Sequence, residues 1–192
     1  MLLLVLGLLV FFAPHVFTTM RDSRAALIAR IGEGPYKGLY SLVSAAGLAL
    51  IVFGWSRAPF VPVWQPPVGM RHLAMALMLP ALVMVVAAYV PGRIKTALKH
   101  PMLAGIKLWA TAHLLANGDL AGMLLFGSFL AFGVYDRIAV KRRAQHGDSG
   151  GSGPPIPNRG LRNDVVAIVI GVVVYLAILF WLHEAVIRRP LL

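Results

Sequence analysis

KHPMLAGIKLWATAHLLANGD, residues 99–119, is apolar enough to lie within a membrane, yet it carries His100, Lys107, His113, Asn117 and Asp119. Polar and ionisable groups at membrane depth are costly, so each needs a partner or a task. Two histidines in that setting point to a metal or to a metal-bearing cofactor. On both sides of this stretch the chain reads the same way, as long apolar runs broken by short basic loops. That pattern marks transmembrane helices.

Composition agrees. Of 192 residues, 59% are hydrophobic and 13% charged, against about 45–50% and about 25% in a soluble domain. There is no cysteine, which excludes disulfides, thiolate metal sites, covalent heme attachment and cysteine nucleophiles. Any metal would take histidine or oxygen ligands. The net charge of +11 raises nucleic acid as a partner in principle. Most of the basic residues lie between apolar runs, however, where membrane orientation and anionic lipid headgroups account for them. The lipid bilayer is the expected partner and nucleic acid is not.

Six apolar runs can be drawn, at 2–20, 38–56, 73–91, 102–117, 120–135 and 165–182. They predict an all-α polytopic membrane helix bundle with about six transmembrane helices. The first run has neither a basic leading segment nor a small-residue cleavage site, so it reads as a retained helix, kinked near its end by Pro14. Residues 21–37 allow a short interfacial helix ended by Gly32, Gly34 and Pro35. Ser41, Ser44, Ala45, Ala46 and Gly47 would let a neighbour approach the second helix closely. Pro80 predicts a bend in the third. Asn117-Gly118 predicts a tight turn joining the fourth and fifth helices as an antiparallel hairpin. Ser, Gly, Pro and charge dominate residues 145–160, which reads as a flexible loop.

The first, third and fifth loops hold Arg21, Arg24, Arg30 and Lys37, then Arg93, Lys95 and Lys99, then Arg137, Lys141, Arg142, Arg143, Arg159 and Arg162. The second loop holds only Arg57 and Arg71, the fourth none, and the tail Arg188 and Arg189. The excess predicts that the odd loops are cytoplasmic and that both termini are periplasmic, in a bacterial inner membrane.

Histidine is the one residue type suited to a cofactor site here. His146 falls in the loop. His183 ends the last apolar run, where a histidine suits the helix dipole. His72 and His100 sit beside basic residues at helix starts, and could be ligands or interfacial groups. His15 and His113 lie deeper and are the stronger ligand candidates. Depth alone places His15 about 9 Å from the cytoplasmic boundary and His113 about 6 Å from the outer one. By depth, His15 pairs with His100 and His72 with His113. Trp109, His113 and Asn117 share one helix face at i, i+4 spacing, which suits a flat ring and equally an ordinary packing face. No HExxH, GxGxxG, Walker or GxSxG motif is present, so hydrolytic zinc and nucleotide chemistry have no support.

Several stretches carry a resemblance to a known family: PHVFTTMR, GPYKGLYSLVSAAGLALIVFGW, VWQPPVGMRHLAMALMLPA, AAYVPGRIK, KHPMLAGIKLWATAHLLANGDL and LFGSFLAFGVYDR. Over roughly residues 3–143 the chain resembles the NnrU family of bacterial membrane proteins. That family is named for an association with nitrite and nitric oxide reduction in denitrifying bacteria. It is similar to plant zeta-carotene isomerase, a multi-span membrane enzyme that carries heme b and isomerises a carotene double bond. The resemblance implies an NnrU-like membrane domain over 1–143. A flexible cytoplasmic linker over 144–163 and an additional transmembrane helix over 164–192 would follow it.

The heme-ligand motifs of that isomerase look like His15…Arg21 and Ala112-His113 here, so the resemblance implies His15 and His113 as axial ligands. Arg21, Lys37 and Arg71 could pair with heme propionates, since arginine matches carboxylates well. His72 and His100 are the weaker metal candidates. The expected activity is redox or cis–trans isomerase chemistry on a lipophilic substrate. The alternatives are a non-catalytic heme-binding or electron-transfer accessory protein, and a methyltransferase-like module without heme. The His100-Pro101 dipeptide resembles the second of these, but the carboxylate-bearing signature that should follow is missing.

Overall fold

A computed structural model describes residues 1–145 and 158–187. Among them every regular element is helical, apart from an isolated antiparallel bridge between Pro62 and Asp119. Helix α1 spans Leu2–Phe17, α2 Arg21–Ile31, α3 Glu33–Ser56, α4 Met70–Tyr89, α5 Arg93–Leu98, α6 Pro101–Ala116 and α7 Leu120–Gln145. Helix α8 opens as Leu161–Ala177 and continues through a π-helical turn, Ile178–Leu182, into His183–Ile187. The all-α reading of the sequence holds. His146 and most of the expected linker lie outside the described residues. At its edges, helix continues to Gln145 and resumes at Leu161.

Four segments are long and apolar enough to cross a membrane: Glu33–Ser56, Met70–Tyr89, Leu120–Arg143 and Leu161–Ala185. The bent pair α1 and α2 supplies a fifth if it counts as one span. By length and composition the described residues thus hold four to five candidate spans, which does not reach the expected six. Helices α1 and α6 have 16 residues each, about 24 Å of rise against a hydrocarbon core of about 30 Å. Side-chain distribution fits a lipid surround. Leu4 is the largest fully buried side chain among the described residues, while Val173, Phe180 and Trp181 of α8 are 60–70% exposed.

The chain divides into two compact units. The first comprises the described residues of Met1–Gln65 and Asn117–His146, with α1, α2, α3 and α7. Here α1 and α3 pack almost backbone to backbone. A Cβ on Gly7 would lie 2.6 Å from the Ile51 amide nitrogen, one on Gly47 would lie 2.5 Å from that of Phe11, and one on Gly54 would strike the Leu4 backbone. The order of these contacts makes the two helices antiparallel. Close approach through small residues drives association where apolar burial alone cannot, because lipid is as apolar as leucine. The small residue expected at 47 serves this purpose.

Helix α7 runs parallel to α1. Ala121 clusters with Leu4, Leu8 and Ile51 at one end, and the Tyr135 hydroxyl meets Thr19 Oγ1 at 2.8 Å at the other. The helix continues through Pro14, and the chain turns by 89° only after Phe17. At that break the Thr18 and Thr19 hydroxyls donate to the carbonyls of His15 (2.6 Å) and Val16 (2.7 Å), and the Thr19 amide also donates to Val16 O at 2.9 Å. Helix α2 is the expected short helix and ends at Gly32. Gly34 and Pro35 fall inside the first turn of α3, where proline is tolerated. The Asn117-Gly118 turn is braced by residues 61–64. The amides of Val63 and Trp64 donate to Gly118 O at 2.8 and 3.1 Å, and that of Leu120 donates to Val61 O at 2.9 Å.

The second unit comprises Pro66–Ala116 and the described residues after 146, with α4, α5, α6 and α8. Helix α4 is central, packed against α6 and α8. A Cβ on Gly105 would lie 2.7 Å from Ala81 O, and one on Gly171 2.7 Å from Val83 Cγ2. Ala81, Ala110, Ala112 and Ala167 fill the buried positions. Within this unit α6 pairs with α4. Helix α6 returns along α4 after α5, and α7 belongs to the other unit with α1. Gly105 gives α6 its close fit to α4. Helix α8 packs on α4 within this unit.

Candidate functional site

His15 lies in the last turn of α1, in the first unit. Its Nδ1 is 2.6 Å from Phe11 O. A carbonyl can only accept, so Nδ1 carries the proton, and in the neutral ring Nε2 then holds the lone pair. The imidazole stacks on Phe11, with centroids 4.4 Å apart and planes 26° apart. Tyr40 of α3 stands at 5.2 Å and Phe132 of α7 at 5.7 Å. Phe12 and Phe129 extend this aromatic wall, 5.0 Å apart. Three helices thus fix one ring.

His113 lies in the last turn of α6, in the second unit. Its Nδ1 is 2.9 Å from Trp109 O, and the Trp109 ring is centred 5.2 Å from its own. The local arrangement is that of His15 repeated: an aromatic residue four positions earlier gives its carbonyl to Nδ1 and its ring to one side of the imidazole. Histidines that ligate metals characteristically donate the other ring N–H to a backbone carbonyl or a carboxylate, which fixes tautomer and orientation. Both residues meet that condition.

Sequence reasoning missed part of each setting. His183 of α8 lies close enough to His113 to act on it electrostatically, a proximity that no spacing in the chain reveals. The aromatic residue four positions before His15 was legible as Phe11, but Tyr40 and Phe132 are brought in by packing. The weaker candidates separate along the second unit. His72 is exposed at the start of α4, at the same end of the α4–α6 pair as His113. His100 precedes α6 at the opposite end, about 20 Å from His113 along the axis, and its carbonyl accepts the Ala104 amide at 3.2 Å.

Of the expected propionate partners, Arg21 opens α2 and Arg71 is exposed in the first turn of α4. Lys37 is exposed and bonded to Glu33 at 2.9 Å. No group of three or more His, Cys, Asp or Glu side chains among the described residues could hold a metal ion. A metal caged by side chains alone therefore has no support. A macrocycle that brings its own equatorial nitrogens needs only one or two imidazoles, and the anchored histidines with their aromatic walls fit that requirement.

Comparison with curated proteins and with solved structures gives no match. Comparison with protein families matches residues 3–190 to the family described as NnrU protein. The match takes in α8 as well as the stretches that carry the resemblance. It agrees with the apolar helices and covers both anchored histidines. By that coverage of nearly its whole length, the chain belongs to the NnrU family.

Proposed function

We propose that the protein binds heme b in the bacterial inner membrane, where His15 and His113 would hold its iron. It would carry out redox or cis–trans isomerase chemistry on a lipophilic substrate and be linked to nitrite and nitric oxide metabolism. The observation that supports the ligand assignment is the paired anchoring of Nδ1 to the carbonyls of Phe11 and Trp109. Heme b, when bound, would supply a redox-active iron. The chain's own part is to hold two imidazoles in one tautomer, each with Nε2 as the ligating atom and its basicity raised by the Nδ1–H bond. Arg21 and Arg71 have the chemistry to bind carboxylates. Lys37 would first have to leave Glu33.

A second reading, a heme-binding or electron-transfer accessory protein with no substrate of its own, is supported by the same anchoring. An isomerase would in addition have to admit a lipophilic substrate to the heme. The measurement that separates them is the carotene isomer ratio on co-expression, set against the nitric oxide response of a deletion strain.

The proposed topology keeps both termini periplasmic, which requires α1 and α6 to cross with local thinning of the bilayer. Within the first unit, the parallel α1 and α7 bring the start of α2 and the Arg137–Arg143 segment to one end. Within the second, Arg93 and Arg162 also share an end. Reporter fusions at either terminus test this directly.

Purified protein should show a Soret absorption band. We expect His15→Ala and His113→Ala each to abolish heme retention, and His183→Ala to keep it. Full heme occupancy in His113→Ala refutes the ligand assignment. Wild-type protein that carries no heme and takes up none on reconstitution refutes the proposal.

A further inference from the structure

At one end of the second unit the close of α4, helix α5 and the start of α8 are tied together. The Asp164 carboxylate accepts the amides of Arg93 (3.1 Å) and Ile94 (3.0 Å). Asn163 donates to Pro91 O at 2.8 Å, and Asn158 donates to Gly92 O at 3.2 Å and to Thr96 Oγ1 at 2.9 Å. Beneath this knot, α4, α5 and α8 leave a cleft of about 350 Å³.

The cleft wall is apolar, formed by Pro80, Val83 and Met84 of α4, Ile94 and Leu98 of α5, and Ile168 of α8. It offers no hydrogen bond, so a polar group entering it would lose its hydration without replacement. Hydrocarbon is what it can hold. It reaches from α5 down to Pro80, nine residues before the end of α4, about 14 Å of helix.

The rim has the opposite character. Ile94 and Leu98 face the cleft at i, i+4 spacing, while Arg93 and Lys99 are exposed beside them. Arg159 and Arg162 are exposed at the start of α8. Lys95 donates to Ala88 O at 3.2 Å. The only acid in segments 90–100 and 158–166 is Asp164, which is buried and committed to backbone amides. A basic rim over an apolar slot matches an amphiphile with an anionic head. It would repel a second copy presenting the same positive rim.

We infer that this cleft binds an anionic phospholipid. One acyl chain lies in the slot, and the headgroup phosphate is held by Arg93, Lys99 and Arg162. The site does not depend on heme, and its test reads no pigment.

The full chain is purified in detergent, stripped of lipid and offered an equimolar mixture of phosphatidylglycerol and phosphatidylcholine, with bound lipid counted by native mass spectrometry. We expect phosphatidylglycerol to be retained over phosphatidylcholine by about tenfold or more, since each basic residue near a headgroup is worth about a fivefold factor. Lys99→Asn and Arg162→Gln should each lower retention about fivefold. Ile168→Trp, at a position 45% exposed, should fill the slot and abolish retention at unchanged circular dichroism. Arg137→Gln, in the other unit, should change nothing. Equal retention of the two lipids overturns the inference, as does undiminished binding in folded Ile168→Trp. So does a mass spectrum showing a dimer in place of bound lipid.

Discussion

Each unit buries one carboxylate among its described residues, and the two carboxylates are used differently. Asp119 caps its own helix: it precedes α7 and accepts the Gly122 amide at 2.9 Å, three positions along the chain. Asp164 sits in the first turn of α8 yet caps another helix, α5, through amides 70 and 71 positions earlier. The first bond fixes where a helix begins. The second fixes where two segments of the chain meet. Both side chains are only 6% exposed, so burial does not distinguish them. What distinguishes them is how much structure depends on each.

That difference can be broken from outside or sharpened from within. The largest effect should come from neither carboxylate but from the backbone contact in the first unit. Gly54→Leu drives a side chain into the Leu4 backbone, which has no rotamer by which to yield. A loss of about 3 kcal/mol or more is expected, seen as loss of folded protein after detergent extraction.

Next comes Asp164→Ala, which leaves two amides of α5 without their acceptor. We expect a loss of about 2–4 kcal/mol, read as a fall in the melting temperature, with faster hydrogen exchange at residues 93 and 94. Asp164→Asn retains one acceptor and should lose less. The smallest effect should be that of Asp119→Ala, the removal of a single N-cap, at about 1 kcal/mol. Its exchange signature should stay within the first turn of α7. If Asp119→Ala proves as damaging as Asp164→Ala, the contrast between a local and a long-range cap fails.

The same contrast explains what could be read from the sequence. Local features were legible. The turn at Asn117-Gly118, the end of α2 at Gly32 and the small residue at 47 all announce themselves within a few positions. The anchored His113 was partly visible too, through Trp109 one turn earlier. Features made by chain segments far apart were not. Nothing near Asp164 names Arg93 as its partner, and nothing near His183 names His113. The close fit of α6 on α4 uses Gly105, a glycine that looks ordinary in the sequence. The first apolar run reads longer than its helix, because apolar character continues past Phe17 into the turn that leads to α2.

The bonds made by Asp164 also set an order of events during synthesis. Helix α5 leaves the ribosome some seventy residues before its cap does. Until α8 is inserted, the amides of Arg93 and Ile94 await their acceptor, and α5 is held by its local bonds, such as those of Lys95 to Ala88 O and Thr96 to Gly92 O. The tie between α5 and α8 can therefore close only once α8 has entered the bilayer. A nascent chain that stops short of α8 carries an unfinished end that membrane quality control can recognise.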